Sequence, residues 1–218
     1  MTTKRRFDLV MFDFDGTLAD SAEWMFGVLN ELADRYGFRR VTPAEVEMLR
    51  GRPNREIIAY LGVPAWRLPA IARAARERAR ADAEAIRLFP GAGEMLDRLA
   101  AAGVAVAVVS SNGEDVVRRV LGPHAASVRH WACGASLFGK ARKMRQVLHA
   151  GGVDPNRAAA VGDETRDVDA ARAAGVTSVA VTWGYATSAA LEEAKADVLV
   201  SSWSELGLAS GATFMRPS

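Results

Sequence analysis

The stretch FDLVMFDFDGTLADS, Phe7 to Ser21, decides how the chain is read. Its apolar part has the composition of a strand covered on both faces, and it finishes in two acids, Asp13 and Asp15, either side of Phe14. Residues i and i+2 of an extended strand point the same way, so the two carboxylates converge while Phe14 faces away. Such a pair repels itself unless one acid carries a proton or a cation lies between them. The dipeptide Asp15-Gly16 is also a hairpin-turn signal. No partner strand follows it: Leu18, Met25, Val28, Leu29 and Leu32 recur at helical spacing around Asp20 and Ser21, either of which serves as a helix cap.

Further along, the apolar runs VAVAVVSS, AAAVGD, SVAVTW and ADVLVSS alternate with the helical patterns GEMLDRLAAAG, EDVVRRVLG, ARKMRQVLHAGG and DVDAARAAG, most of which run into Gly. This alternation predicts an α/β fold, a doubly wound parallel sheet whose ligands sit beyond the carboxyl ends of the strands. Between the opening strand and Leu88 the rhythm is broken by helical pattern without a convincing β-run, with helices expected at 20–36, 43–49, 55–61 and 69–86. The expected organisation is therefore a core of residues 1–18 and 89–218 with an inserted helical cap of residues 19–88, its return marked by Pro90 and Gly91.

A chain of 218 residues, 50% hydrophobic and 25% charged, buries a substantial core, which excludes disordered and collagen-like classes. A net charge of +2 is too mild for a nucleic-acid footprint. Arg73, Arg76, Arg78 and Arg80 share their helix with Glu77, Asp82 and Glu84, the pattern of a solvated face. The apolar run 104–109 is far shorter than the roughly 20 residues of a membrane helix. The single cysteine, Cys133, forms no internal disulfide and reads as a buried structural thiol, and MTTKRRFDLV lacks the pattern of a secretory signal. The expectation is a cytoplasmic protein with no nucleic-acid or membrane partner.

Three other strand ends carry chemistry. AAAVGDETRDVDAA ends in Asp163, Glu164 and Asp167, oxygen donors suited to a hard cation such as Mg²⁺, with helix N-terminal decoration as the plainer reading. VAVAVVSSNGED ends in Ser110, Ser111 and Asn112 before Gly113 and a helical pattern, which offers either an anion site or a simple N-cap. Lys140 follows Gly139 at a helix start, where a cation opposes the helix dipole and so calls for a negative partner; Lys143 is the rival, expected to face solvent. In the insertion, LRGRPNREI offers Arg52, Asn54 and Arg55, with Arg52 the expected contact to a substrate anion. Trp183, Gly184 and Tyr185 either edge a cleft or pack a loop, His124, His130 and His149 fall in no metal-ligand spacing, and the tail GATFMRPS reads as frayed.

In that order, DFDGTLADS, the strand ending in Ser110, Lys140 and GDETRD resemble the four motifs of the haloacid dehalogenase-like (HAD) hydrolase superfamily. The inserted helices, FPGAGEMLDRLAAAG and ADVLVSSWSEL resemble the phosphoglycolate phosphatase-like branch, with its small α-helical cap on a Rossmann-like core. The resemblance implies a phosphatase for a small phosphate ester, phosphoglycolate-like or a sugar phosphate. Asp13 is then the nucleophile that forms an aspartyl-phosphate, and Asp15 the general acid and base. Mg²⁺ is held by the Asp13 side chain, the Asp15 carbonyl and Asp163, with Asp167 supporting. Ser110 and Lys140 bind phosphate oxygens beside Ser111 and Asn112; Gly16 lets the chain turn beside them, and Thr17 holds Asp15. Haloacid dehalogenases do without the second acid, so Asp15 favours phosphoryl chemistry. A phosphomutase of the β-phosphoglucomutase type, which keeps both acids, and a non-catalytic binding protein on the same fold are the alternatives.

Overall fold

A computed structural model describes residues 5–134, 139–206 and 213–214. The chain runs through β1 (Arg5–Arg6), β2 (Leu9–Phe12), β3 (Ala19–Asp20), α1 (Ala22–Tyr36), α2 (Pro43–Leu49), α3 (Asn54–Tyr60), α4 (Leu68–Ala81), β4 (Arg87–Leu88), α5 (Ala92–Ala101) and β5 (Ala105–Val108). It continues with α6 (Glu114–Leu121), β6 (His130–Trp131), α7 (Lys140–Gly151), β7 (Ala158–Gly162), α8 (Thr165–Ala174), β8 (Thr177–Val181), α9 (Ser188–Glu193), β9 (Val198–Val200) and β10 (Thr213–Phe214).

Six of these strands form one parallel sheet in the order β6-β5-β2-β7-β8-β9. The strand order reverses at β2, so the end of β2 opens at the switch point of a doubly wound sheet, where such folds bind ligands. All four residues of β2 are buried. Val10 and Phe12 point into one apolar layer with Met95, Leu96, Leu99, Val117 and Leu121 of α5 and α6. Leu9 and Met11 point into the other, with Met144, Val147 and Leu148 of α7 and Ala171 of α8. A strand with helices over both faces must be apolar at every position, which is why this run does not alternate. Each fully buried large side chain of this kind stabilises by about 1.5–3 kcal/mol.

The five apolar runs appear as β2, β5, β7, β8 and β9, whereas the edge strand β6 is two residues, His130–Trp131, with no apolar run to announce it. The helical insertion holds α1 to α4 and has cores of its own: Val28 and Leu32 on Ala74, and Val41, Leu49 and Leu61 around α2 and α3. Its neck is a two-residue antiparallel pairing, Ala19 with Leu88 and Asp20 with Arg87, which starts α1 later than the helical periodicity suggests and is too short to leave a strand signal. Helix α4 stops at Ala81 rather than near 86. Asp82 leaves the helix to accept from the Trp24 indole at 2.9 Å, and Ala85 N closes a turn on Asp82 O at 2.8 Å. In the tail, Thr213–Phe214 pair with Arg5–Arg6 and so are not frayed; the remainder of that segment lies outside the described residues. Among the described residues no helix is long and apolar enough to cross a membrane.

Candidate active site

Beyond β2, Asp13 N still donates to Val161 O at 2.9 Å, so the first acid is the last residue held by the sheet. Its Oδ1 accepts from Phe14 N at 2.8 Å and its Oδ2 lies 2.6 Å from Lys140 Nζ. Phe14 turns into the core, as expected, and the chain then reverses at Gly16, whose φ of +73° is a left-handed conformation. Asp15 is bound differently: Oδ1 accepts from Ser21 Oγ at 2.9 Å and Oδ2 from Asn112 Nδ2 at 2.8 Å. Burial, and then the neighbouring Asp13 charge, push the Asp15 carboxyl up to about 6. The environment thus divides the pair into an acid facing a cation and an acid able to carry a proton near neutrality.

The end of β7 supplies the complement. Asp163 accepts from Thr17 Oγ1 through Oδ1 and from Tyr185 N through Oδ2, both at 2.8 Å. One turn into α8, Asp167 folds back to accept from Asp163 N at 3.1 Å and Glu164 N at 3.0 Å, and its other oxygen lies 2.5 Å from Lys140 Nζ. The acidic helix start is therefore both decoration and site. Asp13, Asp163 and Asp167, all buried, each place one carboxylate oxygen within 4.8 Å of the others.

The donor set fits a hard divalent cation. Asp13 Oδ2 is buried and receives no well-aligned hydrogen bond, and burial raises the Asp13 and Asp163 carboxyls, the latter well above the usual range with Glu164 and Asp167 adding to the effect. Positive charge is short there: among the described residues, the cations that act most on Asp13, Asp15, Glu164 and Asp167 are Lys140 and Arg166. Burial disfavours the Lys140 ammonium, but Asp13 and Asp167 more than offset it and hold its pKa up. Burial likewise pushes Asp167 up, yet Lys140 and Arg166 keep it below the ordinary value. All-oxygen carboxylate ligation suits Mg²⁺ rather than a softer metal.

On the β5 side, the buried Ser110 Oγ accepts from Asn112 N at 3.0 Å, which leaves its own hydrogen to donate. The N-cap of α6 is Gly113, with no side-chain cap bond, so the Ser110, Ser111 and Asn112 side chains are not consumed as caps. Ser111 is half-buried beside them.

Two expectations change in detail. Thr17 donates to Asp163, not to Asp15, because the turn at Gly16 carries its side chain across to β7 and leaves Asp15 to Ser21 and Asn112. Arg52 is half-exposed, donates to Met48 O and pairs with Glu56 at 3.5 Å. It lines a surface groove with Asp169, Arg172 and Lys195, a lining that includes none of Asp13, Asp15, Asp163 and Asp167. The neighbouring Arg50 instead crosses to the loop after β8, donating to Tyr185 O at 2.8 Å and Gly184 O at 3.1 Å. Arg50, Arg166 and the contact of Ser21 with Asp15 are not announced by the sequence, whereas Tyr185, expected either to edge a cleft or to pack a loop, reaches Asp163 through its amide and Ser21 through its phenol. Ser21 occupies the N-cap of α1 but makes no cap bond; Arg166, paired with Glu164, lies inside the motif GDETRD.

The chain is similar to known proteins over most of its length. A sequence model described as haloacid dehalogenase-like hydrolase matches residues 10–181. Phosphoglycolate phosphatase of Synechococcus elongatus is 30% identical over 199 residues, covering 90% of this chain and 94% of that protein. Tyrosine-protein kinase PtkA of Mycobacterium tuberculosis is 32% identical over 81% of this chain, which spans 62% of that longer protein. Among solved structures, CbbY from Rhodobacter sphaeroides in complex with phosphate superposes with a TM-score of 0.74 at 25% identity, covering 94% of this chain and 99% of that one.

Proposed function

The chain belongs to the haloacid dehalogenase-like hydrolase family and is a phosphoric monoester hydrolase, and from that premise we propose that it hydrolyses a small phosphorylated metabolite, phosphoglycolate-like or a sugar phosphate, through an aspartyl-phosphate on Asp13. An Asp13 oxygen attacks phosphorus, and the new O–P bond replaces the ester O–P bond. Asp15, in its protonated form, gives its proton to the leaving alcohol oxygen. The same carboxylate then accepts a proton from water as the water oxygen attacks phosphorus, which breaks the bond to Asp13 and releases inorganic phosphate. Lys140 and Ser110 hold the transferring oxygens. Asp13, Asp163 and Asp167, with the Asp15 carbonyl, would hold Mg²⁺; when bound, the ion offsets the repulsion between an anionic nucleophile and an anionic phosphate.

Residues 1–18 and 89–218 act as the catalytic core in this reading, and residues 19–88 as a cap that closes over the site, excludes bulk water and selects the substrate. The observation that carries the proposal is the division of the Asp13 and Asp15 pair: Asp13 joins Asp163, Asp167 and Lys140, while Asp15 is held apart with a carboxyl near 6. The test is a panel of phosphate esters with and without Mg²⁺, measuring phosphate and isomerised product separately. Phosphate release that needs Mg²⁺ and disappears in Asp13→Asn supports the proposal. Full release by that variant overturns the nucleophile assignment, and isomerised product without free phosphate identifies a mutase.

A further inference from the structure

The loop after β8 touches both acid systems at once. Tyr185 N donates to Asp163 Oδ2 at 2.8 Å, and the Tyr185 phenol lies 2.7 Å from Ser21 Oγ. Ser21 has a single hydrogen, which it gives to Asp15 Oδ1, so the phenol is the donor in the chain Tyr185 to Ser21 to Asp15. The loop is pressed onto the site: a Cβ on Gly184 would lie 2.3 Å from Asp163 Cβ. The outer side of this loop is held by the insertion. Arg50, at the C-cap of α2, donates Nε to Tyr185 O and Nη2 to Gly184 O. Its Nη1 donates at 2.6 Å to Glu47, an exposed side chain of the same insertion, and that contact leaves Nε and Nη2 on the loop carbonyls.

We propose that Arg50 is a positioning residue through which docking of the helical insertion sets Asp163 and Asp15 for reaction. The inference rests on the phosphatase reading above and adds a link between closure and assembly of the site. A planar guanidinium bonds two successive carbonyls in a fork that a lysine ammonium cannot reproduce. When the insertion swings away, those carbonyls lose the fork, and the peptide that carries the Tyr185 N–H is free to rotate off Asp163. The phenol moves with it, and Ser21 loses the donor that orders its hydroxyl toward Asp15. The site is therefore complete only when the insertion is down.

The test compares Arg50→Ala, Arg50→Lys, Glu47→Ala and Tyr185→Phe in the full chain. Two measurements are made: kcat and KM on an ester the unmodified protein turns over, and affinity for Mn²⁺ alone followed by electron paramagnetic resonance. Arg50→Ala is expected to lower kcat and weaken Mn²⁺ binding, each by about 10-fold, the scale of hydrogen bonds involving a charged donor. Arg50→Lys recovers part of both. Tyr185→Phe keeps the amide on Asp163, so it lowers kcat about 2- to 10-fold and leaves Mn²⁺ affinity unchanged. Glu47→Ala keeps the carbonyl contacts and leaves both near normal. The proposal is overturned if Arg50→Ala matches the unmodified protein in both measurements, or if Glu47→Ala loses as much, since the effect would then belong to the insertion's own folding. If no ester is turned over, the phosphatase reading fails by itself, and the Mn²⁺ titrations still decide whether Arg50 acts on Asp163.

Discussion

Thr17 Oγ1 donates to Asp163 Oδ1 at 2.8 Å across 146 positions of sequence. This bond joins the turn after β2 to the end of β7 at a carboxylate that is fully buried. Replacing Thr17 by Val keeps the volume and removes the donor, leaving a buried carboxylate oxygen short of a partner. The expected cost is about 1–3 kcal/mol, read as a lower urea midpoint without divalent cation, while Thr17→Ser is tolerated. Equal midpoints for Val and Thr would mean that the bond contributes nothing.

With the proposed Mg²⁺ site, the excess of acids makes cation binding dependent on pH in a definite direction. Burial raises Asp13 and Asp163, and Asp15 is pushed up to about 6. A carboxyl raised above its unfolded value contributes stability that is fully present below that value and is lost as pH climbs through the folded pKa. Asp167, held low by Lys140 once burial is outweighed, behaves oppositely, its contribution fading as pH falls. A divalent cation binds the ionised forms, so its stabilisation grows with pH. At 100 times the dissociation constant it is worth about 2.7 kcal/mol, or about 5–10 °C in Tm. The rise in Tm on adding Mg²⁺ should be larger at pH 8 than at pH 5; a rise independent of pH would place the cation elsewhere.

On the proposed mechanism, Asp15→Asn removes the proton carrier and leaves the Asp13 nucleophile intact. With an alkyl phosphate, whose alkoxide leaves poorly, kcat is expected to fall about 10²- to 10⁴-fold. With a nitrophenyl phosphate the first transfer needs less protonation, so the burst of nitrophenol should survive better than steady turnover. Equal losses for both esters would argue that Asp15 orders the site rather than moving a proton.

Cys133 is half-buried, and burial, with Glu114 adding, pushes its thiol up to about 12. At pH 8 the thiolate fraction is then minute. Even allowing for the greater nucleophilicity of a basic thiolate, alkylation by iodoacetamide should run about 50-fold or more slower than for a free thiol. A rate matching glutathione at that pH would mean the pocket opens readily.

The legible parts of this chain are those where a single residue type had to recur. Leu9 to Phe12 read as a strand covered on both faces because all four side chains are buried; Asp13, Asp15 and Asp163 stand out as charges at the ends of apolar strands, Lys140 as a cation at a helix start, and Asp167 by its place one turn after Asp163. The illegible parts depend on direction rather than type. Nothing in the sequence distinguishes Arg50 from Arg52, two residues apart around Gly51, yet one reaches the loop after β8 and the other pairs with Glu56. Thr17 and Ser21 are both small hydroxyl residues after the acids; which one reaches Asp15 is decided by the left-handed turn at Gly16, where a Cβ would sit 2.2 Å from Asp163 Oδ2.

The place of β2 in the sheet also sets a timetable. Leu9 pairs with Ala105 on one side and with Ala158 on the other, so the strand that carries Asp13 is synthesised early but gains its second neighbour only after most of the chain exists. Such long-range pairing pays loop-closure entropy early and is slow to nucleate, whereas α1 and α4, with their own apolar contacts, need little beyond each other. On the ribosome the insertion is thus free to fold ahead of the sheet that frames it, and Asp13 stays without Lys140, Asp163 and Asp167 until most of the chain has emerged.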